Sequence, residues 1–382
     1  MKTKSTIAYV HTGIWPSKSP STTFVTYNAL ALANHFENVI LFVKRGSHST
    51  SVKILNDYFQ ITQPANLTII QTLVLFRKLN LVHFAIVFFT LFSKRARLIA
   101  IVTRNVRFLP WLVHFKKRYG IKAFYESHDF FADLSLSGDK ITKRKLHNSQ
   151  LENKYIPGLT GIICLQEAQK ALYHKCFPAT KIYVLRTGIH QIIETDIQAK
   201  KYIAYIGSFD THKGLDTFIE AAAKTKTQPE ILLIGGKSDE EIAVMNKLAD
   251  KYGYKDKLTI TKWINKQEMS VYLSQIRIGV VPVNDTFFNR HITSPLKIFD
   301  YYSHCIPIIA SDLPTTRELI EDGLTGMFIP SNNVTAFADI IDKMFDDAEL
   351  YNVMVKNIRE KAMTLLWDSR AIKLKHIIMD AQ

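Results

Sequence analysis

Short apolar runs alternate with segments of helical periodicity along nearly the whole 382-residue chain. Continuous apolar runs of strand length are typical of strands buried on both faces of a parallel sheet. Their alternation with amphipathic helical segments predicts βαβ units. Because the chain is longer than one ordinary core accommodates, we expect two α/β domains.

The predicted strands form two series. The first series covers residues 7–11, 39–43, 67–71, 98–103, 122–125, 161–165 and 181–185, and the second covers 202–206, 231–234, 258–261, 279–282 and 307–310. The polar segment 187–201 between them is rich in Gln, Thr, Asp and Lys, as interdomain connectors commonly are. We therefore expect two Rossmann-like halves with a ligand cleft between them.

The chain is basic, with 49 Lys+Arg against 34 Asp+Glu and a formal net charge of +15. This balance favours an anionic partner. We do not expect nucleic acid, because the basic residues are spread along the chain and form no zinc finger, RNP-like motif or basic tail. The three cysteines are far apart and include no CxxC pair, which indicates a reducing compartment. The N-terminus lacks the apolar stretch of a signal peptide, so we expect a cytoplasmic protein.

Residues 81–92, LVHFAIVFFTLF, are almost wholly apolar and precede the basic sequence SKRAR. A bilayer-spanning helix needs about twenty apolar residues, so this segment is not expected to span. One interpretation is a helix buried against the first sheet. The other is peripheral contact with anionic lipid on the inner face of the plasma membrane. The basic residues that would assist are Lys94, Arg95, Arg97, Arg104, Arg107, Lys116, Lys117 and Arg118.

A first motif with anion-binding chemistry is YIGSFDTHKG, residues 205–214. A predicted strand runs into a glycine-containing loop, and Lys213 with Gly214 opens a helix. The free N–H groups of a helix start and a lysine charge both suit a phosphate. The alternative is an ordinary turn with a solvated lysine.

The second motif is TSPLKIFD, residues 293–300. Thr293 or Ser294 is expected to cap a helix whose first residue is Pro295. Lys297 would then meet an anion at the helix start, and the Asp300 carboxylate on the same face could accept two hydrogen bonds from ribose hydroxyls. The alternative is a solvated i,i+3 salt bridge, worth a few tenths of a kcal/mol.

With the continuation SPLKIFDYYSHCIPIIASDLPTTRELI, these motifs resemble the large retaining glycosyltransferase family of GT-B fold, the glycosyl transferases group 1. Members commonly read G-R-x-x-x-x-K-G and S-P-x-K-x-F-E-Y-M-A-x-G-x-P-V-V-A-S. Fainter similarity covers YESHD (125–129), LENKYIPGLTGIICL (151–165) and VLRTGIH (184–190). The resemblance implies an acceptor-binding domain over residues 1–188, a nucleotide-sugar-binding domain over 189–365, and a helix over 366–382 that returns to the first domain.

The resemblance also implies roles for individual residues. His128, Lys213 and Asp300 form the implied catalytic set, with His128 at the junction of acceptor and donor sugar and Asp300 on the ribose. The implied donor-phosphate residues are Ser208, Lys213, Thr293, Ser294, Leu296 and Lys297. The loop after the first strand, with Gly13, Trp15 and Ser17, would face the cleft. The backbone of Trp263 and Ile264 would contact the base.

The activity implied is transfer of a sugar from a nucleotide-diphosphate-sugar donor to a saccharide or lipid-linked acceptor in polysaccharide or glycoconjugate biosynthesis. The resemblance also implies retention of configuration. We expect no cofactor, and no metal, since no DxD-type acidic pair stands at the end of a predicted strand. Four positions depart from the family pattern: Ser208 replaces an arginine, Ile292 and Asp300 replace glutamates, and Cys305 replaces a glycine. The alternatives are a non-catalytic nucleotide-sugar-binding protein and a nucleotide-sugar 2-epimerase.

Overall fold

The computed structural model describes residues 5–17, 19–73, 81–138, 140–196, 199–210, 213–264, 266–330 and 333–381. The chain divides into two compact units. The first unit comprises Met1–Gly188 and Trp367–Gln382, and the second comprises Ile189–Leu366. Parts of the predicted segments lie outside the described residues: 74–80 beside the apolar segment, 197–198 in the connector, and 211–212 in the first motif.

The first unit is built on a seven-stranded parallel sheet of order β3-β2-β1-β4-β5-β6-β7. Its strands are β1 Thr6–Trp15, β2 Asn38–Arg45, β3 Leu67–Thr72, β4 Leu98–Thr103, β5 Lys122–Glu126, β6 Gly161–Cys164 and β7 Ile182–Val184. The central strands are buried on both faces, which explains their continuous apolar sequences. The predicted parallel α/β architecture is confirmed.

Helices connect these strands. Among its described residues, the first unit has six α-helices in the part of the chain before the second unit. They are α1 Pro20–His35, α2 Ser51–Ile54, α3 Leu81–Lys94, α4 Leu109–Tyr119, α5 Lys143–Tyr155 and α6 Glu167–Cys176. Helix α1 begins at Pro20 because the Ser19 side chain caps it, accepting from the Ser21 N–H, and Pro20 occupies the first turn.

The second unit is built on a six-stranded parallel sheet of order β10-β9-β8-β11-β12-β13. Its strands are β8 Tyr202–Ile206, β9 Ile231–Gly236, β10 Leu258–Lys262, β11 Ile276–Val281, β12 Ile308–Ser311 and β13 Gly326–Ile329. Strand β13 was not predicted. Its helices are α7 Leu215–Lys224, α8 Asp239–Lys251, α9 Lys266–Leu273, α10 Phe287–His291, α11 Leu296–Ser303, α12 Pro314–Arg317, α13 Val334–Asp346 and α14 Ala348–Thr364.

Helix α11 packs directly on the second sheet. A Cβ at Gly279 of β11 would lie 2.5 Å from the Tyr301 ring, so the bare glycine backbone makes room for that ring. The Tyr301 hydroxyl donates to the carbonyl of Ala204 in β8, 2.8 Å away. These two contacts hold the second half of α11 against β8 and β11.

The last helix, α15 Trp367–Asp380, belongs to the first unit. Asp368 accepts hydrogen bonds from Asn34 and His35 of α1, at 3.1 Å and 2.8 Å. Lys122 of β5 donates to the carbonyl of Ile378 at 2.7 Å. A returning C-terminal helix, as the GT-B pattern requires, is therefore present.

Candidate functional site

The loop after β8 brings backbone close to a lysine. Gly207 has φ +134°, a conformation that side chains rarely adopt, and a Cβ there would lie 3.5 Å from Lys297 Nζ. Gly214, just before α7, has φ +64°, and a Cβ there would lie 2.0 Å from the carbonyl oxygen of Pro282. Both positions favour glycine: Gly207 brings the backbone close to Lys297, and Gly214, next to Lys213, packs against the Pro282 carbonyl.

The two predicted phosphate-binding lysines influence each other. Burial lowers the pKa of Lys297 well below its usual 10.5, and the Lys213 cation lowers it further. Asp300 acts in the opposite direction but does not compensate. The Lys297 ammonium lies over the Tyr205 ring, 3.5 Å from its centroid. These two cations thus lie in one region of the second unit, at the start of α11 and the loop before α7.

A third lysine adjoins this loop. The Ser208 hydroxyl donates to the Asp210 carboxylate, and Asp210 also pairs with Lys237 Nζ at 2.8 Å. Both interactions lower the pKa of Asp210. Ser208 therefore orients Asp210 in this structure. Lys237 follows β9 and was not singled out in the sequence, because it matches no motif there.

The predicted start of α11 is wrong by one residue. The helix begins at Leu296, and the cap residue is Pro295, which offers no side-chain hydrogen bond. Thr293 lies two residues before this cap, and its N–H bonds to the carbonyl of Phe288 in α10, at 2.9 Å. The Ser294 hydroxyl is buried and has no hydrogen-bond partner among the described residues. The first N–H groups of α11 have no partner within the helix.

The remaining predicted donor residues surround this point. Leu296 is half-buried in the first turn of α11, and Asp300 is exposed one turn later. Trp263 follows β10 with an exposed side chain, but its N–H bonds to the Gly236 carbonyl at 3.1 Å. That N–H is used within the fold, so a base contact at Trp263 would need other atoms. Ile264 packs against the core.

In the first unit, a buried carboxylate lies at the carboxyl end of β5. Glu126 is fully buried and accepts hydrogen bonds from Tyr9 and His128, both at 2.9 Å, and Arg370 Nη2 lies 3.2 Å away. Burial alone would raise the pKa of Glu126. The Arg370 cation and the His128 hydrogen bond outweigh burial and lower this pKa to about 2. Glu126 is therefore a permanent anion at neutral pH.

His128 is held by this carboxylate rather than exposed in a loop. Burial and the Arg104 cation lower its pKa to about 4, despite the Glu126 hydrogen bond, so the imidazole is neutral at neutral pH. Its ring meets Phe24 edge-on, with centroids 4.9 Å apart. Sequence reasoning found His128 but missed Glu126 and Arg370. The only sequence signal for Glu126 was an acidic residue ending an apolar strand.

The segment that carries His128 is clamped by side chains from α5 and α6. Glu152 is buried and accepts from the Phe131 N–H at 3.0 Å and from the Tyr173 hydroxyl at 2.8 Å. Gln169 donates to the carbonyls of Ser127 and Asp129, at 3.3 Å and 2.9 Å. Burial raises the pKa of Glu152 to about 7, although these hydrogen bonds oppose the shift.

The predicted loop at Gly13 is wrong. Strand β1 continues to Trp15, which is fully buried and donates through Nε1 to Thr26 Oγ1 at 2.8 Å. Trp15 is therefore a core residue. A Cβ at Gly13 would lie 2.2 Å from His11 Nε2, so Gly13 accommodates that imidazole. Ser17 lies after the strand, and its hydroxyl is 2.6 Å from that of Thr22.

The apolar segment 81–92 has one buried face, as a helix packed on the sheet requires, and one exposed face, as contact with a membrane requires. In α3, Val87 and Leu91 are buried, whereas Phe89 is 68% exposed. Two of the basic residues named for the surface point inward instead: Lys116 donates to the carbonyl of Leu159 at 2.7 Å, and the Arg104 guanidinium lies 4.7 Å from the centroid of the Phe24 ring. Within the described ranges, no helix has the length and apolar character needed to cross a bilayer.

Residues 191–361 match the family model for "Glycosyl transferases group 1". They span the second unit almost from end to end and include both lysine motifs. The second unit is therefore similar in sequence to the group 1 glycosyltransferases. The first unit lies outside the range that the family model matches.

One curated relative is an alpha-D-kanosaminyltransferase of Streptomyces kanamyceticus, 26% identical over 156 residues, which are 41% of this chain and 39% of that protein. The chain spans about two fifths of the length of the curated relatives it matches.

Solved structures of similar shape cover both units. Sucrose-phosphate synthase of Thermosynechococcus elongatus superposes with a TM-score of 0.74 at 16% identity, covering 98% of each chain. HepE of Anabaena, in complex with UDP-glucose, gives 0.72 at 12% identity, covering 98% of this chain and 99% of that one. At such identities the likeness establishes the fold alone, which is the GT-B fold.

A left-handed residue marks one departure from the family pattern. Cys305, where members carry a glycine, has φ +50°. The backbone conformation is thus the one that favours glycine, although the side chain is cysteine.

No group of three or more His, Cys, Asp or Glu residues able to hold a metal ion occurs among the described residues.

Proposed function

We propose that the protein transfers a sugar from a nucleotide-diphosphate-sugar donor to a saccharide or lipid-linked acceptor. The observation that carries this proposal is the convergence of Lys213 and Lys297 on the glycine backbone after β8. Two cations beside an open helix start form a site for a diphosphate. The group 1 match, and the UDP-glucose complex of the structural relative HepE, support a nucleotide-sugar as the donor.

In the proposed reaction, the bond between the anomeric carbon and the diphosphate oxygen breaks, and negative charge develops on the leaving diphosphate. An acceptor hydroxyl oxygen forms the new bond to that carbon, and its proton passes to the leaving diphosphate. Lys213, Lys297 and the first N–H groups of α11 stabilise that charge, which is the role of preorganised donors in a transition state. Asp300, exposed one turn into α11, is proposed to bind the ribose hydroxyls. We propose that no metal is needed, because these groups supply the positive charge, and that configuration is retained.

For the first unit we propose acceptor binding. His128 is neutral at neutral pH, so it can donate or accept a hydrogen bond with a sugar hydroxyl without carrying charge. Glu126 fixes the orientation of its ring through Nε2. The low pKa of Glu126 keeps that hydrogen bond charge-assisted throughout the physiological range.

Donor consumption tests the proposal against its two alternatives. The purified chain is incubated with UDP-, GDP- and ADP-sugars, and both nucleoside diphosphate release and the sugar configuration of the remaining donor are followed. A transferase releases the diphosphate from one donor by transfer or slow hydrolysis. An epimerase changes the sugar without release, and a binding protein does neither. Loss of release in Lys213→Ala would assign it to this site.

We also propose that the first unit rests on an anionic membrane surface at the cytoplasmic face. The large apolar side chains Leu81, Phe89, Phe92 and Trp111 are exposed on α3 and α4. Exposed basic residues accompany them on these helices and in the adjoining turn: Lys94, Arg95, Arg97, Lys117 and Arg118. An exposed aromatic surface with basic residues suits the interface of an anionic leaflet.

Vesicle flotation tests this surface. Wild type should float with vesicles that contain phosphatidylserine and not with neutral vesicles, and Phe89→Ser should reduce binding. Val353→Ser, an equally simple change at an exposed residue of the second unit, is the matched control and should leave binding unchanged. Binding that is independent of anionic lipid would contradict the proposal.

A further inference from the structure

Arg104, directly after β4, forms no ion pair with any of the described residues, although its charge acts on the nearby carboxyl groups of Glu126 and Asp129. Its guanidinium lies over the Phe24 ring, and its Nη1 is buried without a hydrogen-bond partner among the described residues. The nearby carboxylate of Glu126 is already engaged by Arg370, Tyr9 and His128. A buried guanidinium nitrogen without a partner is costly, and it indicates that a ligand completes its hydrogen bonds.

Two buried imidazoles also have a ring nitrogen without a hydrogen-bond partner among the described residues. His11 in β1 is 8% exposed and His83 in α3 is 1% exposed, and the Nε2 atom of each lacks a hydrogen-bond partner among the described residues. The His83 Nδ1 atom lies 2.7 Å from the Thr72 hydroxyl. Val10 and Thr103 are register partners in β1 and β4, so the residues that follow them, His11 and Arg104, occupy adjacent positions. Burial, and then the charges of Arg104, His128 and His83, lower the pKa of His11 to about 3.

The position of these groups suits a substrate site. His11 lies in β1 and Arg104 follows β4, two neighbouring strands of the first sheet. Ligands of open parallel α/β sheets bind outside the carboxyl ends of the strands. An arginine with spare donors at that edge matches the geometry of a phosphate, which accepts two hydrogen bonds from one guanidinium.

We propose that the first unit binds a phosphate group of its acceptor through Arg104, with His11 beside it. This inference rests on the proposed function, because it names the chemical class of the acceptor. The phosphate belongs either to a phosphorylated sugar or to a lipid phosphate, and the guanidinium recognises the same oxygens in both.

Chemical protection tests this in the wild-type chain. Phenylglyoxal modifies accessible arginine side chains, and peptide mass spectrometry compares Arg104 with Arg107, the exposed arginine three residues later. Inorganic phosphate should slow modification of Arg104 several-fold and leave Arg107 unchanged. Equal rates at Arg104 with and without phosphate, or equal protection of both arginines, would overturn the proposal.

Two further arms name the source of the phosphate. Glucose 6-phosphate and dihexanoyl phosphatidic acid are compared as protecting ligands, and the one effective at the lower concentration identifies a sugar phosphate or a lipid phosphate. Methyl glucoside, which has no phosphate, should not protect, and protection by it at the same concentration would overturn the proposal.

A variant separates this site from the donor site. Arg104→Gln should abolish the thermal stabilisation that inorganic phosphate gives to the Lys213→Ala background, while Arg107→Gln should preserve it. In the otherwise wild-type chain, Arg104→Gln should keep its stabilisation by the donor nucleotide. Loss of both effects would indicate misfolding, and the protection experiment on the wild type then decides the matter. If no donor nucleotide raises the unfolding temperature of the wild-type chain, that result contradicts the proposed function and not the phosphate site.

Discussion

The ammonium group of Lys297 lies 3.5 Å from the centroid of the Tyr205 ring, at the carboxyl end of β8. A lysine in the first turn of a helix opposes the helix dipole, and burial adds a further cost that lowers its pKa. Natural proteins retain such a residue where an anion offsets both costs. The position of Lys297 over Tyr205 is therefore explained by the diphosphate that the second unit is proposed to bind.

Lys297→Met should lower kcat by about 10²–10³, the range found when one preorganised charge donor is removed from a transition state. The unfolding free energy should be unchanged or raised, because methionine keeps the apolar stem and removes a buried charge. Steady-state assays and urea unfolding measure the two effects. Lys224→Met, at an exposed ion pair of α7, is the control and should behave as wild type. Equal kcat in both variants would contradict the role of Lys297.

Glu152→Gln should be more stable than wild type at pH 8 by about 1–3 kcal/mol. Burial raises the pKa of Glu152 from 4.5 to about 7, so the folded chain holds this proton more tightly than the unfolded chain does. The contribution of Glu152 to stability is therefore present below pH 4.5 and is lost as the pH rises to about 7. Urea unfolding at pH 8 and pH 5 should show the advantage of the variant shrinking at pH 5. A difference that is the same at both pH values would refute the shifted pKa.

Acid should destabilise the chain steeply below pH 6.5. Burial lowers the pKa of His11 to about 3 and the pKa of His83, His128 and His304 to about 4. Between pH 6.5 and 4 the unfolded chain binds protons at these positions and the folded chain does not, so stability falls as the pH falls. Each such histidine contributes about 1.4 kcal/mol per pH unit, and Glu152 offsets one of them above pH 4.5.

Unfolding titrations between pH 7 and pH 4 measure that slope. His83→Gln should make it shallower by the contribution of one histidine. The same slope in wild type and variant would show that His83 titrates in the folded chain.

Much of the fold could be predicted from local sequence. Strands such as β4 Leu98–Thr103 and β8 Tyr202–Ile206 have the predicted bounds, because a continuous apolar run is what burial on both faces requires. Strand β13 Gly326–Ile329 was missed, since it has only four residues and follows a turn sequence. Trp15 was misplaced because the following Pro16 and Ser17 suggest a loop, whereas tertiary packing extends β1 to Trp15.

Some residues of the candidate sites could be predicted from the sequence, and others could not. Lys213, Lys297 and Asp300 lie within two local motifs, and their spacing along helices and loops is readable in the sequence. The buried ion pair of Glu126 with Arg370 joins β5 to α15, at distant positions in the chain, so no local pattern reports it. The unpartnered atoms of His11 and Arg104 likewise depend on three-dimensional burial, which the sequence does not show.

The most direct test of nucleotide-sugar binding by the second unit is thermal unfolding of the full chain with UDP, GDP, ADP and their sugars, compared with Lys213→Ala. We predict that one nucleoside diphosphate and its sugar raise the unfolding temperature of wild type, since a ligand that binds only the folded state stabilises it. Lys213→Ala should lose that shift. A chain that no nucleotide stabilises, or a Lys213→Ala variant that keeps the full shift, would contradict the donor site described for this protein.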